Sequence, residues 1–349
     1  MTDRAVVEHV SPERAALERA LLERLMAGPA TGDALARDYG QTRAAIWKRI
    51  EHLREAGVAI EAKPGRGYAL AQPLELLDAA TIQGALTVGA RSRLSTLEVA
   101  WTIDSTNSEL LRRDPPARGA DVLMAERQTG GRGRRGRVWT SPLAAHLYVS
   151  LSRQFGGGLA RLGGLSLVAG IATVEALRGL GVAGASLKWP NDVVVSGPEG
   201  LRKLGGLLVE GGGEHAGPVR AVIGLGLNVC MPASAAPDIG QPWCDLASLS
   251  GTAPSRNVVA AAVLEHLLMA LDEFDGEGLA PFLPRYAALD ALAGQAVRIE
   301  GALSRDEGVA LGLADDGALR VRLAGGGERN FHSGEVSVRL GTTSSGERE

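Results

Sequence analysis

The sequence predicts a multi-domain α+β chain: an N-terminal winged helix-turn-helix, a central mixed α/β domain and a small C-terminal β-barrel. Three observations carry this. Near the N-terminus, apolar residues recur at helical spacing between glycine turns and then give way to a hairpin. From about Ala80, strand and helix signals alternate. Past Gly294 the strands become short and are broken by Asp315-Asp316-Gly317 and Gly325-Gly326-Gly327. The expected divisions are 12–72, 80–291 and 292–340, with a polar tail at 341–349 expected to be disordered.

The first unit opens with Leu17, Leu21, Leu22 and Leu25 at helical spacing, ended by Gly28-Pro29. Thr31 then caps a short helix from Asp33 to about Asp38, Gly40 stops it, and Thr42 caps a third helix running to Gly57. In that helix Ile46, Ile50 and Leu53 share the face to be buried, which leaves Arg43, Trp47, Lys48, Glu51 and Arg54 on the flanks and exterior. Val58 to Ala62 and Gly67 to Leu70, joined by Lys63-Pro64-Gly65-Arg66, read as a hairpin with a basic tip. Between Gln41 and Leu70 the basic residues outnumber the acids, so Thr42, Arg43, Trp47, Lys48 and Arg66 are candidate DNA contacts. A small protein–protein module is the alternative, because the charges of the whole unit nearly cancel.

The central domain is expected to hold strands at Thr96 to Ile103, Asp121 to Glu126, Leu147 to Leu151, Ser186 to Lys188, Asp192 to Val195, Gly206 to Glu210 and Ala221 to Asn228. Its best helices are Thr106 to Arg113, Leu162 to Gly179 and Asn257 to Phe274. At 349 residues the chain exceeds one ordinary core, and a net charge of −3 gives no global attraction for nucleic acid or acidic membranes. Cys230 and Cys244 are too few for a disulfide framework and lack metal spacing. With neither a long apolar run nor a basic leader, a cytoplasmic protein without membrane contact is expected.

The chemistry concentrates in turns of the central domain. Gly130-Gly131-Arg132-Gly133-Arg134-Arg135-Gly136-Arg137 follows Gln128-Thr129 and precedes Val138-Trp139. Glycines admit close backbone approach to an anion, and arginines offer planar donors matched to phosphate and carboxylate oxygens. Its apolar flanks read as buried strands, so it is a loop of a folded domain more than a solvated linker. Asp104-Ser105-Thr106-Asn107 opens a helix, where the small polar side chains cap it or bind a neutral polar ring. Lys188-Trp189-Pro190-Asn191-Asp192 brings a lysine, an aromatic wall and a carboxylate within five residues. Lys203-Leu204-Gly205-Gly206 precedes an apolar strand, and Gly224-Leu225-Gly226-Leu227-Asn228 adds flat backbone and a terminal amide.

Taken in order, these motifs resemble the biotin-protein ligases. The N-terminal Thr42-Arg43-Ala44-Ala45-Ile46-Trp47-Lys48 and Pro64-Gly65-Arg66-Gly67-Tyr68 look like the bifunctional branch that also represses the biotin operon. The resemblance spans about Leu17 to Arg339. It implies a catalytic domain of the biotin/lipoate ligase type, with helices on one side of a mixed sheet, and an SH3-like C-terminal domain. It further implies ATP, biotin and Mg2+ carried in by the nucleotide, with no metal site of the protein's own.

By that resemblance Lys203 contacts the biotin carboxyl and the α-phosphate, Arg132 and Arg134 hold the phosphates and the adenylate, Lys188 adds charge from the opposite side, and Asp192 orients these cations or the Mg2+ shell. Ser105, Thr106, Asn107 and Gln128 would meet the neutral end of biotin, and Arg132, Gly133, Arg134, Gly205 and Gly206 would be further biotin contacts. Gly131, Arg135, Trp139, Asn191 and Asn228 would line the nucleotide side, with Glu335 and Arg339 reaching toward it and either Trp139 or Trp189 packing near the apolar and adenine parts. The segments Arg127 to Arg137 and Gly211 to Gly217 are the candidate mobile covers, with a plain hairpin loop as the alternative for the second. The partners implied are the biotin carboxyl carrier protein, operator DNA and a second subunit in a ligand-linked homodimer, for which the strand Asp192 to Val195 is a candidate edge. A ligase whose winged helix no longer regulates, and a non-catalytic biotin sensor, are the rival readings.

Overall fold

The computed structural model describes residues 12–156, 158, 162–213, 218–236, 239–301, 305–334 and 336–341. Glu335, residues 214–217 of the second expected cover and the tail from 342 lie outside them.

The N-terminal helices form where expected: α1 (Pro12–Met26), α2 (Gly32–Asp38) and α3 (Arg43–Glu55), followed by β1 (Ile60–Lys63) and β2 (Gly67–Leu70) as an antiparallel hairpin. Thr31 and Thr42 each cap through Oγ1, accepting from Ala34 N and Ala45 N at 3.2 Å. Gly67 is needed at φ 81°, because a Cβ there would lie 2.3 Å from the Ala30 carbonyl oxygen. Leu21, Leu22, Leu35, Ile46, Ile50 and Leu53 make the core of this module. Two residues from far along the chain complete it. Leu143 and Ala144 are buried in the same cluster, and Leu143 N donates to Ala56 O at 2.7 Å, at the end of α3.

The central part contains α4 (Ala79–Ala85), α5 (Val88–Arg91), β3 (Leu94–Ile103), α6 (Thr106–Arg112), β4 (Ala120–Gln128), β5 (Leu147–Phe155), α7 (Leu165–Gly179), β6 (Ala185–Lys188), β7 (Asp192–Gly197), β8 (Gly200–Gly213), β9 (Val219–Leu227), α8 (Leu246–Ser250), α9 (Arg256–Glu277) and α10 (Phe282–Ala287). Its seven strands form one mixed sheet in the order β3-β4-β5-β9-β8-β7-β6, with β3 and β4 parallel and the other pairs antiparallel. The period of two sorts side chains between faces. Val122, Met124, Ile223 and Leu225 pack with α7 and α9, whereas Leu123 and Val222 pack with Leu110 of α6. The expected one-sided helical layer is thus joined by α6 on the opposite face.

The expectation of an edge at Asp192 to Val195 is wrong: β7 lies between β6 and β8, and β6 holds the edge. Lys188 pairs with Asp192 across the tight Trp189-Pro190 connection, so the short strand before it folds back outside β7. Val193, Val194 and Val195 are accordingly buried, as befits an interior strand.

The C-terminal strands β10 (Ala296–Glu300), β11 (Arg305–Leu313), β12 (Leu319–Leu323), β13 (Glu328–Phe331) and β14 (Ser337–Leu340) form an antiparallel sheet in the order β13-β12-β11-β10-β14. Trp189 Nε1 donates to Gly317 O at 3.1 Å, tying this sheet to the central one. Among the described residues no helix is long and apolar enough to cross a membrane.

Candidate functional site

A cleft of about 810 Å3 opens on the sheet face that α6 shares, between the glycine–arginine loop and β14. Its floor is flat because β8 and β9 carry glycines there. A Cβ at Gly224 would meet Asn107 Oδ1 at 2.3 Å, and one at Gly226 would meet the Trp139 indole at 2.4 Å. The Trp139 ring therefore lies directly on the strand backbone. Its Nε1 is a buried donor with no acceptor among the described residues.

At one end sits a cluster of charge. Asp192, first residue of β7, holds Lys203 Nζ at 2.6 Å and has Lys188 Nζ at 3.8 Å. Lys203 Nζ also stands 5.5 Å from the Trp139 ring centroid. Arg134 donates through Nη1 to Asn191 Oδ1 at 3.2 Å and through Nη2 to the Ser333 carbonyl. Asn191 in turn donates to Leu207 O at 2.6 Å. Burial lowers the pKa of Lys188, a fall that Asp192 opposes and that Lys203, Arg137 and Arg339 reinforce. Arg134 is lowered by burial and by Arg135 and Arg137, against the opposing effect of Asp192. One carboxylate thus faces several cations, and the excess positive charge suits a polyanion. Lys188 and Lys203 approach the two different oxygens of the Asp192 carboxylate.

At the other end the groups are neutral. Ser105 caps α6, accepting from Ser108 N at 3.4 Å. Thr106 N donates to Gln128 Oε1 at 2.9 Å, and Gln128 Nε2 donates to Ser141 Oγ at 3.3 Å. Ser150 Oγ lies 2.6 Å from Asn107 Oδ1 and 2.7 Å from Thr106 Oγ1. Such a lattice of fixed amides and hydroxyls matches a polar, uncharged ring.

The structure brings most of the sequence-derived residues to this one cleft. Ser105, Thr106, Asn107, Gln128, Arg132, Gly133, Arg134, Arg135, Trp139, Lys188, Asn191, Asp192, Lys203, Gly206 and Asn228 border it, as does Arg339. Gly131 and Gly205 stand behind this lining. Gly131 gives room to the Trp139 carbonyl and Gly205 to Gly226 O, with added Cβ atoms at 2.6 and 2.9 Å. Asn228 donates to Cys244 O at 3.0 Å, which braces the turn beside Lys203. Trp189, 1% exposed, belongs to the core and also borders the cleft.

Sequence reasoning missed Ser150, Ser141 and Glu210, and the segment Gln241 to Trp243 that borders Lys203. Lys203 N donates to Pro242 O at 3.0 Å. Ser150 carried a signal, being a polar residue within an apolar strand. The segment near 242 carried none, since its bond to Lys203 is made by backbone atoms.

Apart from this cleft, Thr42, Arg43, Trp47, Lys48 and Arg66 are all exposed on α3, its cap and the hairpin tip, with Trp47 53% exposed.

The chain matches the Biotin/lipoate A/B protein ligase family over residues 99–228, an HTH domain over residues 18–69 and the Biotin protein ligase C terminal domain over residues 293–339. It is 38% identical over 309 residues to the bifunctional ligase/repressor BirA of Escherichia coli, covering 88% of this chain and 92% of that one. It is 35% identical over 248 residues to the biotin-(acetyl-CoA-carboxylase) ligase of Mycobacterium tuberculosis, covering 68% and 87%. The fold is similar to that of the biotin protein ligase from Aquifex aeolicus in complex with biotin and ATP, with a TM-score of 0.59 and 27% identity over 71% of this chain and 100% of that one. With its helix-turn-helix, mixed sheet and C-terminal sheet matched in order, the chain belongs to the family of bifunctional biotin ligase/repressor proteins.

Proposed function

We propose that this chain is an ATP-dependent biotin-protein ligase that also represses transcription through its winged helix. In the first step a biotin carboxylate oxygen bonds to the α-phosphorus of MgATP and the bond to the β-phosphate bridge breaks, releasing pyrophosphate. In the second, the amine of a carrier lysine attacks the acyl carbon, loses a proton and expels AMP. The acceptor is the biotin carboxyl carrier protein of acetyl-CoA carboxylase.

The observation that carries this reading is Asp192 held between Lys188 and Lys203 beside Arg134. Two anions meet only where cations offset their repulsion and the charge building at phosphorus. Lys203 serves the carboxyl and the α-phosphate, while Arg134 and Lys188 serve the phosphates. Asp192 fixes the two ammonium groups so that little reorganisation is needed. Ser105, Thr106, Asn107 and Gln128 hold the ureido ring, and the unpaired Trp139 Nε1 gives the ligand a buried donor. No nucleophilic side chain is required, because the adenylate is already activated and the nucleophile arrives with the carrier.

The same reading takes the domain boundaries near 72–80 and 291–292, an SH3-like form for the C-terminal sheet, a cytoplasmic location and a ligand-linked homodimer on operator DNA. Sedimentation with and without biotinyl adenylate tests the dimer. The enzyme assignment is tested by pyrophosphate release with biotin, lipoate and octanoate offered in turn. Release with biotin is expected, and release with lipoate alone would overturn the assignment.

A further inference from the structure

A carboxylate stands where an anion-binding loop least needs one. Glu210, on β8, accepts from Arg132 Nη2 at 3.1 Å through Oε1 and 3.2 Å through Oε2. The same Arg132 Nη2 donates to Ser108 Oγ at 3.0 Å. Glu210 Oε2 also accepts from Asn107 Nδ2 at 2.9 Å, and that amide donates to Leu208 O at 3.1 Å.

These contacts decide which way Asn107 faces. Its NH2 is met by a carboxylate and a carbonyl, both acceptors, so its Oδ1 must be the atom turned to Ser150 Oγ. Asn107 is 4% exposed, and Gly224 leaves room for it. Beyond Ser150 the hydrogen bonds continue through Thr106 and Gln128 to Ser141, whose hydroxyl donates to Trp139 O at 3.0 Å. Trp139 N donates back to Gly131 O at 2.9 Å. The glycine–arginine loop is therefore held at both ends by one polar chain, and Glu210 is the charged link in it.

We infer that Glu210 is a positioning residue that latches the Arg132 limb of the loop over the cleft and sets the orientation of Asn107. This rests on the ligase reading for its substrate but not for its geometry. With Arg132 engaged by Glu210, Arg134, Lys188 and Lys203 remain for phosphate, and Arg135, Arg137 and Arg339 also border the cleft. The neutral end of the cleft stays neutral because the arginine beside it already has its counter-charge.

Two measurements test this on the full chain with Glu210→Gln and Glu210→Ala. The first needs no substrate. Limited tryptic cleavage between Arg132 and Arg137 should be about tenfold faster in Glu210→Ala and intermediate in Glu210→Gln, with an unchanged thermal midpoint. The second reads the reaction. The KM for biotin should rise about tenfold while kcat for pyrophosphate release moves less than about threefold, since Glu210 touches no reacting group. Unchanged cleavage, or a fall in kcat at constant KM, would overturn the latch. So would a drop in thermal midpoint that accounts for the faster cleavage. If the wild-type chain releases no pyrophosphate with biotin, the ligase reading fails, and the cleavage experiment still judges Glu210.

Discussion

Glu126 and Arg256 meet at 2.7 Å with side chains only 2% and 4% exposed. Every guanidinium nitrogen of Arg256 is engaged: Nη1 also reaches Glu75 O, and Nε and Nη2 both reach His146 O. Glu126 accepts in addition from Leu77 N. The pair thus joins the start of α9, the end of β4 and the segment leading out of the winged helix. Glu126 lies two residues from Gln128, and its carbonyl accepts from Ala144 N at 3.0 Å, beside Leu143, which plugs the N-terminal core.

Removing one partner leaves the other buried and uncompensated. Glu126→Ala should lower stability by about 3–5 kcal/mol. The double change Glu126→Leu with Arg256→Met should recover only part of it, since Leu77 N, Glu75 O and His146 O lose these partners. Urea unfolding measures both, and a single variant as stable as the wild type would refute the role of the pair.

Lys203 is the cation for which the cleft offers no substitute at the same place, since Asp192 holds its ammonium at 2.6 Å. Lys203→Ala should slow pyrophosphate release by about 100- to 1,000-fold, by analogy with the loss of one preorganised donor to developing charge. Single-turnover kinetics would separate this from weaker binding. An unchanged rate at saturating biotin and ATP would reassign the chemistry.

Lys188 gives the site a pH signature. Burial holds its ammonium below the usual lysine range in the free protein. A bound triphosphate adds opposite charge and raises that pKa again, so binding takes up a proton wherever free Lys188 is deprotonated. ATP affinity should therefore be flat at low pH and fall as pH rises through the free-state value. Calorimetry in two buffers of different ionisation enthalpy detects the uptake, which Lys188→Gln should abolish. A buffer-independent heat in the alkaline range would count against it.

Much of this was legible in the chain, for identifiable reasons. Thr31, Gly40, Thr42 and Gly57 punctuate the N-terminal helices because capping and positive φ are local properties. The lysines and arginines of the cleft declared themselves through their glycine and proline neighbours. What escaped depends on distant partners. Leu143 reads as a loop residue until α3 is placed against it, and Glu210 reads as an ordinary strand residue until Arg132 and Asn107 reach it. The short helices α4, α5, α8 and α10 have too few turns to show a period. The misplaced edge at β7 has a similar cause, since a run of three valines does not reveal which strand lies outside it.

His146 titrates against folding. Complete burial, with Arg256 nearby, pushes its pKa from 6.5 down to about 3. Its Nδ1 accepts from Val229 N at 2.9 Å, so the folded protein keeps a neutral ring. Below the unfolded value the unfolded chain binds a proton that the folded chain does not. This residue should therefore remove about 1.4 kcal/mol of stability per pH unit as pH falls from 6.5 toward 3. His146→Gln should lack that slope, so the stability gap between the two proteins should narrow on acidification. A constant gap between pH 7 and pH 5 would contradict the assignment.

The winged helix makes a separable prediction. Ile46, Ile50 and Leu53 are buried, which turns Trp47 and Lys48 outward on α3. Arg43 pairs with Asp33 at 3.2 Å, but both side chains are more than half exposed, so this contact holds the guanidinium only weakly. Lys48→Ala and Arg43→Ala should each reduce the salt dependence of DNA binding by about one counterion, while pyrophosphate release stays at the wild-type rate. Trp47→Ala removes apolar surface and no charge. It should leave the salt slope intact and weaken the preference between duplexes, as read by anisotropy with a sequence selected by the wild-type chain against a scrambled one. If Trp47→Ala alters the slope and Lys48→Ala does not, α3 meets the duplex by some other face.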